Sequence, residues 1–293
     1  MSSENFARLK VTTAMLIYGS IGLFVRYIPL PSAYIAMVRG LIGAPFVLLI
    51  MLFLKKGGEL KSVKKKLLPL CVSGILMGIN WIMLFEAYRY TSVAVATLCY
   101  YMAPIFIVAA SPFLFKEKLG GRKLICIATA LLGMVLVSGL GDGGAGQLHG
   151  VLLALGAAVL YAAVVSANKL VGEMSAYGRT FVQLLSAALV LLPYNLIAGN
   201  MVGVNPGLLG GIMLIVVGIV HTGIAYFLYF GSMDKLSAQS LAILSYIDPV
   251  TAVLLSAILL KEPMNLLSIF GAALILGSAL ISELPEKKSG PPV

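Results

Sequence analysis

Charge is what this sequence has least of. Only 11% of its 293 residues are Asp, Glu, Lys or Arg, whereas about 25% is usual for a soluble domain. Apolar residues make up 60%, and the mean hydropathy is +1.02. So few polar groups cannot coat a globule in water, and a chain this apolar is not disordered either. Histidine occurs twice (His149, His221), which gives no metal constellation. Cys71, Cys99 and Cys126 are odd in number, lie in apolar runs and form no C-x-x-C pair, so they read as small buried hydrophobes rather than disulfides or ligands. G-x-x-x-x-G-K-[S/T], G-x-S-x-G and H-E-x-x-H are all absent. There is accordingly no sequence signal for ATP binding, for a serine hydrolase or for a zinc peptidase, and no cofactor is expected.

The apolar residues are gathered into long runs. A spanning helix needs about 20 predominantly apolar residues. Ten stretches qualify: 11–28, 32–54, 67–90, 93–115, 121–140, 149–171, 178–198, 207–230, 238–260 and 266–284. The expectation is an all-α membrane protein of ten transmembrane helices, with connections too short for a soluble domain. MSSENFARLK followed by an apolar run imitates a signal peptide. No small-x-small cleavage site follows, so this stretch is read as a retained first helix.

The formal charge of +10 is distributed as membrane topology, not as a nucleic-acid-binding stripe. With the N-terminus placed in the cytoplasm, seventeen Lys and Arg fall inside and three (Arg26, Arg89, Lys261) outside. Arg39 is left within the second span. The bias predicts a plasma (inner) membrane protein with both termini cytoplasmic and a cytoplasmic, lysine-rich 55–66 loop.

The chain also repeats itself. A shift of 145 residues lays TSVAVATLCYYMAPIFIVAASPFLFKEK over LSAQSLAILSYIDPVTAVLLSAILLKEP. Tyr101 then meets Tyr246, Pro104 meets Pro249, and Lys116-Glu117 meets Lys261-Glu262. A shift of 143 pairs Tyr18 with Tyr161, Arg26 with Lys169 and Ser32-Ala33-Tyr34 with Ser175-Ala176-Tyr177. Two repeats follow, 11–140 and 149–284. Each holds five spans, an odd number, so the second enters the membrane from the opposite side as an inverted repeat.

On these residues the chain resembles the drug/metabolite transporter superfamily, EamA type. AYRYTSVAVATLCYYMAPIFIV with Lys-Glu beyond it, Arg39 in AYIAMVRGLIGAPFVLL, and the segment from IVHTGIAYF to LLKEP carry the resemblance, which extends over about 11–284. It implies a ten-helix exporter of amino acids or other small metabolites. Asp248 departs from the first copy, where Ala103 precedes Pro104.

Ionisable groups inside a bilayer are costly and therefore candidates for function. Asp248, the eleventh residue of its span, is read as a proton site or a ligand for a substrate amine, against a carboxylate tied to a neighbouring helix. His221 either pairs with Asp248 or bonds a backbone carbonyl. Glu86 and Arg89 are spaced for an intrahelical pair, the alternative being a gate. Arg39 has room to snorkel and is read as packing or binding a backbone carbonyl, against receiving a substrate carboxylate or gating. Pro104 and Pro249, each twelfth in its span, are expected to kink their helices and to serve motion.

A central cavity is expected between the repeats, lined by Tyr18, Trp81, Tyr100, Tyr161, His221, Tyr246 and Asp248, with Arg39, Glu86, Asp248, Pro104 and Pro249 in coupling or gating. The reading is a secondary transporter of a small-molecule solute by alternating access, with protons as the candidate coupling ion. Its alternative is a multidrug or cation exporter of the same fold. An intramembrane enzyme lacks its nucleophile and base, and a receptor or scaffold is separable by solute flux. The oligomeric state is open.

Overall fold

The computed structural model describes residues 3–55, 57–59, 63–116, 119–138, 145–171, 174–232, 235–236 and 238–284. Lys56, Lys61, Glu117, Lys118, Lys287, Lys288 and the 139–144 linker, where the first repeat was expected to end, lie outside the described residues. The described residues are helical and loop, without a strand.

The helices are α1 Ser3–Arg26, α2 Ser32–Phe53, α3 Leu67–Tyr90, α4 Val93–Tyr100, α5 Ala103–Phe115, α6 Gly121–Ser138, α7 Ala145–Val171, α8 Ala176–Ile197, α9 Gly207–Val216, α10 Ala225–Phe230, α11 Ala238–Ser245, α12 Ile247–Ile258 and α13 Leu266–Glu283. An eight-residue π-helical segment, Val217–Ile224, joins α9 to α10. Among the described residues, eight stretches are long and apolar enough to cross a membrane, two of them (Val93–Leu114 and Gly207–Phe230) spanning more than one helix. Ile243–Ile258 and Leu266–Ser282, in the ninth and tenth expected spans, are apolar but shorter.

The starts follow ordinary capping chemistry. Ser92 accepts a hydrogen bond from Val95 N at the head of α4, Ser175 from Gly178 N at α8, and Asn265 from Ser268 N at α13. Each satisfies a first-turn N–H that has no partner within the helix.

The most extensive packings all cross between the halves: α3 on α7 and α8, α6 on α13, α2 on α8, and α1 on α12. Small residues permit the closest approaches. A Cβ on Gly133 of α6 would lie 2.7 Å from Gly271 O of α13, and one on Gly271 would lie 2.6 Å from Gly133 O. Without hydrocarbon exclusion to drive helices together in lipid, such backbone-to-backbone contact supplies the packing.

The bundle has two chemically distinct ends. At one, Val63 and Leu70 before and within α3 meet Val171 at the end of α7 and Phe181 in α8. There too, Met15 of α1 meets Leu228 and Tyr229 of α10. Arg8, Lys10, Lys55, Lys64 and Lys66 belong to this basic end. At the other end, Arg26, Glu86, Arg89 and Glu262 gather around the end of α1 and the starts of α2 and α4.

The fourth and ninth expected spans are each interrupted beside their proline, with the backbone staying close to helical. The fourth stops at Tyr100 and restarts at Ala103, and the ninth stops at Ser245 and restarts at Ile247. Pro104 and Pro249 sit in the first turns of the restarted helices. There a missing N–H costs nothing, because first-turn N–H groups have no acceptor within the helix.

Candidate functional site

Between the halves lies a cavity of about 500 Å³. Tyr18, Trp81, Tyr100, Tyr161, Tyr246 and Asp248, six of the seven expected wall residues, line it, as do Arg39 and Pro104. It reaches the basic end past Asn168 and Gln183, whose side chains are joined by a 2.8 Å hydrogen bond. Gln183 Nε2 also donates to Ser73 Oγ at 2.6 Å.

Asp248 is placed by the two breaks together. As the second residue of α12 it lies in a first turn, where the helix dipole favours a carboxylate. Tyr101, the residue that closes α4, donates its hydroxyl to Asp248 Oδ2 at 2.7 Å. The rings of Tyr101 and Tyr246 lie 6.4 Å apart, so the broken points of the two matching spans face each other across the cavity.

Arg39 does not snorkel. It is 6% exposed, with its Cζ 4.2 Å from the Trp81 ring centroid and its Nε donating to Thr222 Oγ1 at 2.8 Å. Stacking and a directed hydrogen bond hold the planar guanidinium flat where an ammonium would not stay. Neither Arg39 nor Asp248 has a charged partner among the described residues. The cavity thus carries one cation and one carboxylate without an ion pair between them.

Tyrosines cover much of the remaining wall. Tyr100 and Tyr161 rings are 5.4 Å apart, and Tyr18 and Tyr226 rings 5.7 Å. The Tyr18 hydroxyl is buried and lacks a hydrogen-bond partner among the described residues, leaving a donor at the wall.

His221 is a correction to the expected wall. It is 1% exposed and does not reach the cavity. Its Nε2 lies 3.0 Å from Ser20 Oγ, its Nδ1 3.4 Å from Val216 O, and its ring 4.8 Å from Phe24. The π-helical turn accounts for this: widening the helix lets His221 and Thr222 reach the carbonyls five residues back, and the imidazole is turned into the α1 interface. The expected pairing of His221 with Asp248 is replaced by these contacts.

Glu86 and Pro249 also lie off this wall. Glu86 accepts from Ser32 Oγ at 2.6 Å and sits 3.8 Å from Arg89, which gives the intrahelical pair its spacing allowed. Pro249 is buried. A second cavity of about 380 Å³, lined by Arg26, Ser32 and Arg89, occupies the far end. Phe85 and Tyr88 line both cavities and stand between them.

Sequence reasoning passed over Tyr88, Asn168, Thr180 and Gln183, all on the central wall, and placed Thr97 on the helix face of Tyr100 and Pro104 without counting it in the wall it also lines. Asn168 and Gln183 were legible as uncharged polar residues within apolar runs. Tyr88 carried no such mark. Among the described residues no group of His, Cys, Asp and Glu is arranged to hold a metal ion.

A membrane-spanning helical bundle that encloses, between its halves, a cavity carrying an arginine, an aspartate and several tyrosines is a carrier's architecture. The chain belongs to the EamA-like transporter family, which matches residues 6–139 and again 148–283. It is 31% identical to the uncharacterized transporter YxxF of Bacillus subtilis, over 94% of this chain and 89% of that protein. It is 26% identical to the uncharacterized inner membrane transporter YicL of Salmonella typhimurium, over 98% of each. A crystal structure of a protein 24% identical in sequence has the same fold, with a TM-score of 0.66 over 94% of this chain and 95% of that one. The protein is a multi-span membrane transporter of small solutes, not an enzyme.

Proposed function

We propose that this transporter exports small metabolites such as amino acids across the plasma membrane by alternating access. The carrying observation is the unpaired charge in the cavity: Arg39 and Asp248 share one wall, each held by neutral partners. A zwitterion offers a carboxylate to the first and an ammonium to the second. Charge-assisted hydrogen bonds of that kind are the strong ones in a water-poor site. The Tyr18 hydroxyl adds a donor without a partner among the described residues.

In this reading ten helices form two inverted five-helix repeats, 11–140 and 149–284, related by a pseudo-two-fold axis in the membrane plane, with both termini cytoplasmic. The basic end is then cytoplasmic, and the structure is a state whose cavity reaches inward. Asp248 is the proposed proton acceptor. Pro104 and Pro249, at the two breaks, are the proposed points about which the halves exchange shape. Arg39 serves recognition, and Glu86 serves the outer end.

Reconstituted vesicles preloaded with single amino acids test this by counterflow of the labelled compound. Accumulation that Asp248→Asn and Arg39→Lys both weaken supports the reading, and absence of counterflow for every amino acid rejects it. The second reading, a multidrug or cation exporter, is favoured by the tyrosine-rich wall around Asp248. A cationic dye that exchanges while amino acids do not would select it.

A further inference from the structure

At the end away from the lysine-rich loop, four elements are stitched through two side chains. Arg26, the last residue of α1, donates to the carbonyls of Tyr88 and, at 3.3 Å, Thr91, where α3 runs out of internal donors. Its other terminal nitrogen lies 3.4 Å from Glu262 Oε1. Glu262 follows α12 in the second half of the chain, and its side chain is 11% exposed. Its Oε2 accepts from Val93 N at 2.9 Å, the first residue of α4 in the first half. Ser256 of α12 donates to the same carboxylate oxygen and accepts from Ala94 N at 3.3 Å. A carboxylate on the opening turn of one helix and an arginine on the closing turn of another both answer the helix dipoles.

This cluster sits over the partition. Phe85 and Tyr88, with ring centroids 6.4 Å apart, separate the far cavity from the central one. The Tyr88 carbonyl is held by Arg26, and its hydroxyl lies 3.5 Å from Thr97 Oγ1 of α4. The end of α3 and the start of α4 are therefore both fastened to the second half through Arg26 and Glu262. Of the other charged groups at this end, Arg89 is engaged apart from them, with Leu30 O at 2.6 Å and with Glu86 at 3.8 Å, and Lys261 beside Glu262 is exposed.

We infer that the Arg26–Glu262 pair, seated on the first turn of α4, is the latch of the far gate, and that Phe85 and Tyr88 are the plug it holds. For a path to open from the central cavity to the far side, α12 must draw Glu262 off the α4 terminus. Arg26 then releases the end of α3, and Tyr88 leaves the partition. The inference rests on the carrier reading and adds to it the place where the closed state is fastened.

The test needs no solute, so its outcome is separate from that of the transport assay. Ala252, small, buried and on the central wall, is replaced by cysteine in full-length protein lacking its three native cysteines. An impermeant thiol reagent is applied to intact cells and to inverted membrane vesicles. With the latch intact, labelling from the Arg89 side is slow and labelling from the basic side is fast. Glu262→Gln and Arg26→Gln are each expected to raise the rate from the Arg89 side by about tenfold, because each removes hydrogen bonds made by a charged group. The rate from the basic side falls at the same time, since population moves from one state to the other. Arg26→Lys, which keeps the charge, is expected to change both rates less than Arg26→Gln. Unchanged rates overturn the inference. So does a rise from both sides, which marks a loosened fold in place of an opened gate.

Discussion

Replacing Arg39 by lysine keeps the charge in the cavity and removes the geometry. The 2.8 Å bond from Nε to Thr222 Oγ1 is lost, and so is the planar contact 4.2 Å above Trp81. A hydrogen bond to a charged group contributes about 1.5–3 kcal/mol. A desolvated cation–π contact contributes about 2 kcal/mol, part of which an ammonium retains. A net loss of about 2 kcal/mol follows, which corresponds to roughly a thirtyfold rise in apparent KM for the transported amino acid. Thr222→Val removes the acceptor, together with the hydroxyl's own bond to Val217 O, and keeps the side-chain volume, so its effect on Arg39 is that of the one bond at the low end of its range, about twelvefold for about 1.5 kcal/mol. The double variant should be little worse than Arg39→Lys alone, because both changes delete the same bond. The assay is initial-rate counterflow in proteoliposomes over a panel of labelled amino acids, with reconstituted protein quantified for each variant. Wild-type KM and maximal rate in Arg39→Lys would refute the assignment of Arg39 to solute recognition. Full additivity in the double variant would refute the proposed coupling through Thr222.

Asp248→Asn keeps an acceptor for Tyr101 but cannot exchange a proton. It should insert normally and lose the pH-dependent part of transport, and a wild-type pH profile from vesicles at set internal pH would reject the proton role. Gly19→Ala places a methyl against the Asp248 carbonyl and 2.6 Å from Thr251 Cβ, so α1 must move off α12. Overpacking of this kind costs about 1–3 kcal/mol, and a lower unfolding temperature in detergent together with weaker transport is expected. A cysteine at exposed Gly58, beside the lysine cluster, should react with an impermeant reagent in inverted vesicles and not in intact cells. The opposite result would reverse the proposed topology.

Eight of the ten expected spans reappear among the described residues as long apolar stretches, because hydropathy over about 20 residues is a strong signal in lipid. Asp248 stood out for the same reason, as a lone carboxylate in an apolar run. The interruptions at Tyr101 and Tyr246 lie beside Pro104 and Pro249, where a disturbed helix was expected, but which side chains they bring to the cavity was not legible. Arg39 reads as a snorkelling side chain until Trp81 and Thr222, distant in sequence, are brought against it. For His221 the backbone-carbonyl reading is the one seen and the wall position is not: VGIVHTGI carries no mark of a π-helical turn, and that turn decides which way the imidazole points. Glu262 was visible only as half of a Lys-Glu repeat, because its partners Arg26 and Val93 belong to the other half of the chain.

The wide turn at Val217–Ile224 reaches further than its own contacts. Tyr226, Tyr229 and Phe230 face the cavity from α10, just downstream of it. A helix behaves as a screw thread, and each residue added or removed turns everything beyond it by about 100°. These three aromatic rings are therefore set in azimuth by a stretch that does not itself touch the cavity. Loss of one residue there would swing a third of a turn of aromatic surface away from the solute and present other side chains, with every wall residue still in the sequence. Relatives that share this wall but differ in length between Val217 and Ile224 would then enclose differently shaped chambers. In such a protein specificity is written partly as a phase angle as well as in residue identity.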